Sequence, residues 1–511
     1  MDEPAAFEDK PLLKTKHRGL LLAAVMLVAI CQFLDATIAN VALPHMQAAL
    51  GASIDSISWV LTSFIIAGAI FMPATGWLSD RIGSRNLYLG ASAGFLIFSM
   101  ACGAATSLTE MVIFRTLQGI STAFLAPMTQ TIMFDISPPS KQAMTISIFS
   151  MIVMVAPITG PFIGGLLTEY LNWRWIFYVN LPLGIPALAI MWWLLPSRPI
   201  EKRRLDLFGF AWLGLALAAL QFMLDRGQHL DWFNSWKIII YLIVVLSALW
   251  IFIIHSRATA HPLFNRQIYK NTNFMIGLAF ICVQGLGVAG IASVLPMMLQ
   301  GLYGYPVMDS GMVSVPRGIG VMITSLIAGS MIRYVDYRIF LMFGYLIIAF
   351  SIWCMSGWTL EMGMEPILIA GFIQGLGFGM TISTMNITAF DGLAPELRPD
   401  GSSLFALFRN MGSAIGVSIV VTFLARNQQI SHADLAASVT SASIQGVDLP
   451  AAVDRVPGIG SGVMTFIDAE VNRQALMIAY LDDFFMLTWI MLACIPLALL
   501  LRKPSSLRGS Q

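Results

Sequence analysis

The fold is decided by GLLLAAVMLVAICQFLDATIANVALP, Gly19–Pro44. Leu20 to Cys31 is wholly apolar, and the greasy character continues through Phe33, Leu34, Ile38, Val41 and Leu43. The run is long enough to cross about 30 Å of hydrocarbon as a helix. Inside it sits a carboxylate, Asp35, flanked by Gln32, Thr37 and Asn40. A charge at bilayer depth costs roughly 2.5–3.5 kcal/mol on insertion scales, so it needs a partner, a polar cavity or a task. The residues alone leave two readings, a structural ion pair or a proton or substrate site within a transporter.

Runs of this kind recur along the chain. It is 57% hydrophobic and 11% charged, against about 25% charged residues in ordinary soluble domains. That balance excludes a soluble enzyme or a nucleic-acid binder and predicts an all-α polytopic membrane protein. Fourteen spans are expected, near 19–43, 56–76, 87–106, 109–131, 142–167, 174–195, 206–224, 237–255, 273–299, 309–332, 338–357, 366–390, 402–424 and 480–501. Most of the 29 Lys and Arg, including Arg81, Arg85, Lys141, Arg198, Arg398 and Arg409, then fall in connections on the side of the N-terminus. Only Arg174, Arg226, Lys237, Arg426, Arg455 and Arg473 fall opposite, which places both termini in the cytoplasm. No cleavage site follows the first run, so no cleavable signal peptide is expected. The five cysteines lie in apolar runs and read as free thiols. No nucleophile–base set, metal cluster or phosphate loop is present in the sequence.

Internal repetition divides the chain. Gly76-Trp77-Leu78-Ser79-Asp80-Arg81-Ile82-Gly83-Ser84-Arg85 joins spans two and three, and a worn copy, Gly329–Arg338, joins spans ten and eleven. Arg115-Thr116-Leu117-Gln118-Gly119 is echoed by Gly371-Phe372-Ile373-Gln374-Gly375, with the Arg lost. The expected organisation is a tail 1–18, a six-helix bundle 19–195, a linker with two inserted spans 196–255, a second six-helix bundle 256–501 and a tail 502–511. Such symmetry marks transporters that rock about a midplane site. The outer segment 426–479 carries two helix-compatible stretches, 427–439 and 465–478, which favour a small helical hairpin against the membrane or a partner.

Within this frame certain residues carry chemistry. Arg115 is a second intramembrane charge; it stays protonated, so it cannot carry a transported proton but can serve as a fixed counter-charge to Asp35. Gly76, Asp80, Arg81, Gly83 and Arg85 suit a conformation-dependent clasp. Pro157, Gly160, Pro161, Gly164 and Gly165 concentrate helix breakers and close-approach positions into one hinge. Gln32, Thr37, Asn40, Gln118, Gln284, Arg317, Gln374 and Asn386 are candidates for a substrate cavity, each equally suited to an interhelical hydrogen bond. Arg317, with no acid nearby in sequence, suits attraction of an anion or pairing with a distant group. Apart from Asp35, no acid is expected near mid-span, which disfavours obligate dications as substrates.

Taken together, Leu34–Pro44, Gly76–Arg85, Arg115–Gly119 and Gly160–Gly165 resemble the ordered motifs of the fourteen-span drug:proton antiporters of the major facilitator superfamily, the EmrB/QacA type. Ser84 stands where a basic residue is commoner. Leu224-Asp225-Arg226-Gly227 followed by Leu230-Asp231-Trp232-Phe233 is similar to the EmrB branch. The resemblance implies the superfamily fold of two six-helix bundles plus two extra helices. It also implies a bacterial inner-membrane location and export of lipophilic compounds driven by the proton gradient, with no cofactor. Asp35 and Arg115 would carry the proton coupling, and the partners would be an EmrA-type periplasmic adaptor and an outer-membrane channel. An exporter of one metabolite, or a non-transporting receptor using segment 426–479, are the rival readings from the residues.

Overall fold

A computed structural model describes residues 9–200, 204–331, 335–438 and 459–501, without the side chains of residues 54, 55, 307 and 459–464. Fourteen helices among them are long and apolar enough to cross a membrane. They are α1 (Arg18–Leu50), α2 (Trp59–Ile82), α3 (Ser84–Ala104), α4 (Leu108–Asp135), α5 (Pro139–Tyr170), α6 (Trp175–Leu194), α7 (Leu207–Arg226) and α8 (Trp236–Ala258). After these come α9 (Thr272–Gly301), α10 (Met308–Met331), α11 (Tyr337–Met355), α12 (Glu365–Phe390), α13 (Pro395–Ser438) and α14 (Thr465–Leu500). Polar side chains start several of them: Ser107 accepts from the Glu110 amide, Asn271 from Phe274 and Asp336 from Arg338. The turn from α2 to α3 passes through Gly83 at φ 88°, a conformation that side chains with a Cβ resist.

Helix pairing repeats with an offset of eight. In the first half α1 packs on α5 and α6, α2 on α4, and α3 on α4 and α6. In the second half α9 packs on α13 and α14, α10 on α12, and α11 on α12 and α14. The halves meet where α5 crosses α10 and α12 and where α13 crosses α2 and α4. The repeated motifs occupy equivalent contacts. Gly76 of α2 packs on Asp400 of α13, and Gly329 of α10 packs on Ser147 of α5. Gly119 of α4 rests on the Phe64 carbonyl of α2, and Gly375 of α12 on the Arg317 carbonyl of α10.

The inserted pair sits over one seam between the halves. α7 packs on α2 through Phe71–Phe210 and Trp59–Phe222 ring contacts. Thr62 of α2 donates to Asp225 (3.0 Å), while Ser418 of α13 donates to the Leu224 carbonyl (3.1 Å). Trp232, just beyond α7, donates to Thr422 of α13 (2.9 Å). The L-D-R-G stretch is thus a bridge between α2 and α13. α8 lies outside, presenting Ile243, Leu246 and Trp250 as lipid-facing apolar surface.

Two expectations are corrected. The stretches expected as a separate hairpin are continuations of α13 and α14: single helices run Arg398–Ser438 and Ile459–Cys494. Forty-one residues at 1.5 Å each make a rod of about 60 Å, twice the hydrocarbon thickness. Its outer part pairs with the start of α14 through Asn427–Asp482 and His432–Asp468. Residues 439–458, with Arg455 and Pro457-Gly458, lie outside the described residues, as do Lys202, Arg203, Arg333 and the tail 502–511. Arg409, expected in an inner connection, lies eleven residues into the Arg398–Ser438 helix and therefore about 16 Å along it, at membrane depth.

Candidate functional site

Asp35 and Arg115 meet in the interior of the first bundle. Arg115 Nη1 donates to Asp35 Oδ2 at 2.9 Å, and neither side chain has any solvent exposure. Gln118, one helical turn beyond Arg115, joins both: its carbonyl accepts from Arg115 Nη1 (2.8 Å) and its amide donates to Asp35 Oδ1 (3.2 Å). Spacing of i and i+3 puts Arg115 and Gln118 on one face of α4, and Asp35 faces them from α1. Arg115 Nε donates to the Val60 carbonyl of α2 (3.2 Å), and the guanidinium lies over the Phe64 ring (4.3 Å). Each group facing the carboxylate is a donor, so an ionised Asp35 is satisfied as acceptor.

A third donor was not singled out in the sequence. Asn180 of α6 donates to Asp35 Oδ1 (3.1 Å) and to Ser99 of α3 (3.1 Å). It lies within Trp173–Gly184, which reads as an aromatic interface anchor. Its only sequence signal is an amide in the first turn of an apolar span. Helices α4 and α6 therefore converge on the carboxyl group that α1 provides, with α2 and α3 one bond further out.

Helix α5 packs against α1 beside the site. A Cβ on Gly160 would collide with Thr37 Oγ1, and one on Gly164 with Ile38. Gly165 faces open space and places no demand on packing. Pro157 and Pro161 lie inside the same helix. The opposite side of this segment meets α10, where Ile158 approaches Gly318 and Phe162 approaches Gly311. The proline-containing part of α5 is thus held between α1 and the second bundle.

The two halves are joined at the end that carries the 76–85 turn. Asp135, at the end of α4, accepts from Arg198 Nη2 (2.7 Å) and from Arg398 Nη1 (3.3 Å), and Arg198 also donates to the Pro395 carbonyl (2.9 Å). Ser403 donates to the Met72 carbonyl (2.6 Å), Thr131 to Ser402 (3.2 Å) and Gln130 to Asn386 (3.0 Å). The Phe134 and Phe390 rings meet across the same seam, tilted by 30° with centroids 5.2 Å apart. Asp135 was not visible as a site because it reads as the polar end of a span. Of the expected clasp residues, Gly76 touches the other half through Asp400 and Gly83 makes the turn, whereas Arg85 stays in its own bundle, donating to the Trp192 carbonyl and lying over the Trp192 ring. Arg81 is exposed, and Asp80 is partly buried in the last turn of α2.

The expected cavity residues separate into groups. Phe33, Ala36, Thr37 and Asn40 form one open stripe of α1, with Asn40 exposed; Asp35 points away from it. Arg409 of α13 lies over the Phe33 ring (5.4 Å) and makes no salt bridge among the described residues, so this stripe faces the second bundle. Gln118 belongs to the Asp35 cluster. Asn386 belongs to the clasp, donating also to Ser150 (3.0 Å). Gln32 is buried with a long bond to the Thr122 carbonyl (3.5 Å), and Gln284 is buried against Thr381 (3.0 Å). Arg317 and Gln374 are buried; among the described residues Arg317 Nε and both Gln374 amide atoms have no hydrogen-bond partner. Asp483, near the middle of α14, is likewise buried with both oxygens unpartnered among the described residues, an acid inside a helix where only Asp35 was expected near mid-span.

With this geometry in place, comparison identifies relatives. Residues 25–417 match the model of the Major Facilitator Superfamily. The chain is similar to the multidrug export protein EmrB of Escherichia coli strain K12, with 33% identity covering 98% of each chain. It is 30% identical to the fatty acid resistance protein FarB of Neisseria gonorrhoeae, covering 97% of this chain and 98% of that one. The crystal structure of the human organic anion transporter MFSD10 (TETRAN) shares the fold at TM-score 0.58 and 13% identity, covering 93% of this chain and 99% of that one. The fourteen helices, their repeated pairing and these matches together make this chain a membrane transporter of the Major Facilitator Superfamily, of the EmrB type.

Proposed function

We propose that this transporter exports lipophilic small molecules in exchange for protons by alternating access, with Asp35 as the titrating group and Arg115 as its fixed counter-charge. The observation that carries the reading is the enclosed ion pair, in which a proton on one carboxyl group changes the charge balance where α1, α4 and α6 meet. Protonating Asp35 leaves Arg115 as a buried cation held by Gln118, the Val60 carbonyl and the Phe64 and Phe177 rings. An uncompensated buried charge is costly, which favours an arrangement that re-solvates Arg115. Gly160 and Gly164 let α5 and α1 slide at close range, and the Asp135 clasp supplies a second arrangement to be broken. A transporter needs such paired states of near-equal free energy.

The names of the relatives support several drugs rather than one metabolite as cargo, and the distribution of Lys and Arg supports cytoplasmic termini in a bacterial inner membrane. The paired outer extensions of α13 and α14 offer a place for an EmrA-type adaptor leading to an outer-membrane channel. Two measurements test the function: substrate-induced proton release from purified protein, and flux of unrelated dyes into proteoliposomes under an imposed pH gradient. Wild type releases protons and transports several dyes, and Asp35→Asn does neither. Equal release from both proteins refutes the coupling role.

A further inference from the structure

Helices α2 and α13 meet differently at their two ends. Beside the 76–85 turn they touch directly: Gly76 packs on Asp400, and Ser403 donates to the Met72 carbonyl (2.6 Å). At the far end α7 joins them. Thr62 of α2 donates to Asp225 (3.0 Å), and Ser418 of α13 donates to the Leu224 carbonyl (3.1 Å). Trp232 adds a second link to α13 through Thr422 (2.9 Å). Consecutive residues in the last turn of α7 thus fasten it to both halves.

The part of α2 that takes this fastening also holds the ion pair. Within Trp59–Phe64, the Val60 carbonyl accepts from Arg115 Nε (3.2 Å), and the Phe64 ring lies under the guanidinium (4.3 Å). Trp59 and Thr62 meet Phe222 (ring centroids 5.8 Å apart) and Asp225. Positions 60 and 64 share one helix face, and 59 and 62 another. A shift of Arg115 against α2 therefore reaches Thr62, then α7, then α13. Chains of packed and hydrogen-bonded groups carry coupling between separated sites when they have two discrete arrangements.

Few other charges intervene. Around Asp35, α4 presents Arg115, while Cys102 of α3 and Cys31 of α1 lie one bond away through Gln118 and the Asn180 carbonyl. Helix α6 presents the neutral Asn180 amide, and α5 meets α1 through Gly160 and Gly164. Around Asp225, Arg226 lies at 4.0 Å over the Trp59 ring, and Tyr241 of α8 stacks on Phe222. Thr62, Ser418 and Thr422 supply only hydroxyls.

We propose that α7 carries the protonation state of the Asp35–Arg115 pair into the second bundle, with Asp225 as the positioning residue that fastens it to α2. The proposal rests on the proton-exchange reading above and gives the inserted helices a task within it. With the ion pair intact, α7 spaces the far ends of α2 and α13 while their near ends touch. Protonation of Asp35 frees Arg115 from α1, and the Trp59–Phe64 stretch shifts with it. The α7 fastening then yields, so the far ends close and the near ends part.

Two reporter cysteines read the two ends in the whole protein in nanodiscs. Asn40→Cys lies on the exposed stripe of α1, and Thr131→Cys lies buried in the near seam beside Ser402. Each is labelled with a polar thiol reagent, the rate of the chain lacking it is subtracted, and the result is divided by that of free cysteine at the same pH. On acidification the otherwise wild-type protein labels Asn40→Cys several-fold more slowly and Thr131→Cys several-fold faster. Asp35→Asn loses this opposed response. Asp225→Ala and Thr62→Val also lose it, both rates staying within twofold across the pH range. Yet the carboxylic-acid infrared band that Asp35→Asn lacks still titrates in both. Asp225→Asn keeps an acceptor without a titrating group, Thr62→Ser keeps the donor, and each retains the response.

An opposed response that survives in Asp225→Ala and Thr62→Val overturns the proposal. So does faster labelling of both reporters together in those variants, which is loosened packing rather than lost transmission. Loss of the response in Asp225→Asn overturns it as well, because Asp225 would then be the pH sensor. A response that persists in Asp35→Asn refutes the proton-exchange reading itself, and α7 then has no such state to carry.

Discussion

Asp35 and Arg115 lie 80 residues apart in sequence and 2.9 Å apart in the structure, with no water-accessible surface on either side chain. Taking both from water is expensive, and their attraction repays it only with good geometry and satisfied remaining groups. Removing one partner leaves the other charged and buried. Asp35→Leu and Arg115→Met should each cost about 3–5 kcal/mol of stability. The double variant should recover most of that loss while remaining inactive in transport. Thermal melting in detergent beside proteoliposome flux separates the two roles, and an unstable double variant would show that the pair is chiefly structural.

Glycines at neighbouring positions of α5 should behave oppositely. A methyl group at Gly160 meets Thr37 Oγ1, so Gly160→Ala should push α5 from α1, lower stability by about 1–3 kcal/mol and reduce flux. Gly165→Ala meets nothing and should be neutral or slightly stabilising, since Ala is the better helix former. Melting temperatures and flux for both variants check this contrast.

Breaking the clasp should shift the resting conformation. Asp135→Asn removes the charge shared by Arg198 and Arg398, which should favour separation of α4 from α13. A cysteine at Thr131, now bonded to Ser402, should then react several-fold faster with a polar thiol reagent than in the Asp135 parent. An unchanged rate would mean that Ser403, Gln130 and Phe134 hold the seam without the ion pairs.

The rod formed by the outer part of α13 makes its own prediction. Cysteines replacing His432 and Asp468 should be joined by a short bis-maleimide, because those side chains meet at 3.2 Å. An impermeant thiol reagent should reach them from outside intact spheroplasts. Labelling only after lysis would reverse the proposed orientation of the termini.

Hydropathy alone fixed the number and approximate place of the spans, because each must bury its backbone polar groups within itself whatever its neighbours do. It was equally legible that Asp35 and Arg115 needed each other, since charge at membrane depth demands compensation. Glycine and proline spacing announced the close approach of α5 to α1 and the α2–α3 turn for the same local reason. What the sequence could not announce was which faces meet. Successive helix residues point about 100° apart, so Phe33 faces the second bundle while Asp35, two positions on, faces the first. Asn180, Asp135 and the depth of Arg409 depend on rotations and offsets of helices far apart in the chain. The charge count set Arg409 with the inner connections although the expected span 402–424 already contained it, and the long Arg398–Ser438 rod carries that residue into the membrane. Tertiary packing therefore decided the company each polar side chain keeps, since a hydrogen bond needs two groups in register and a span needs only enough apolar length.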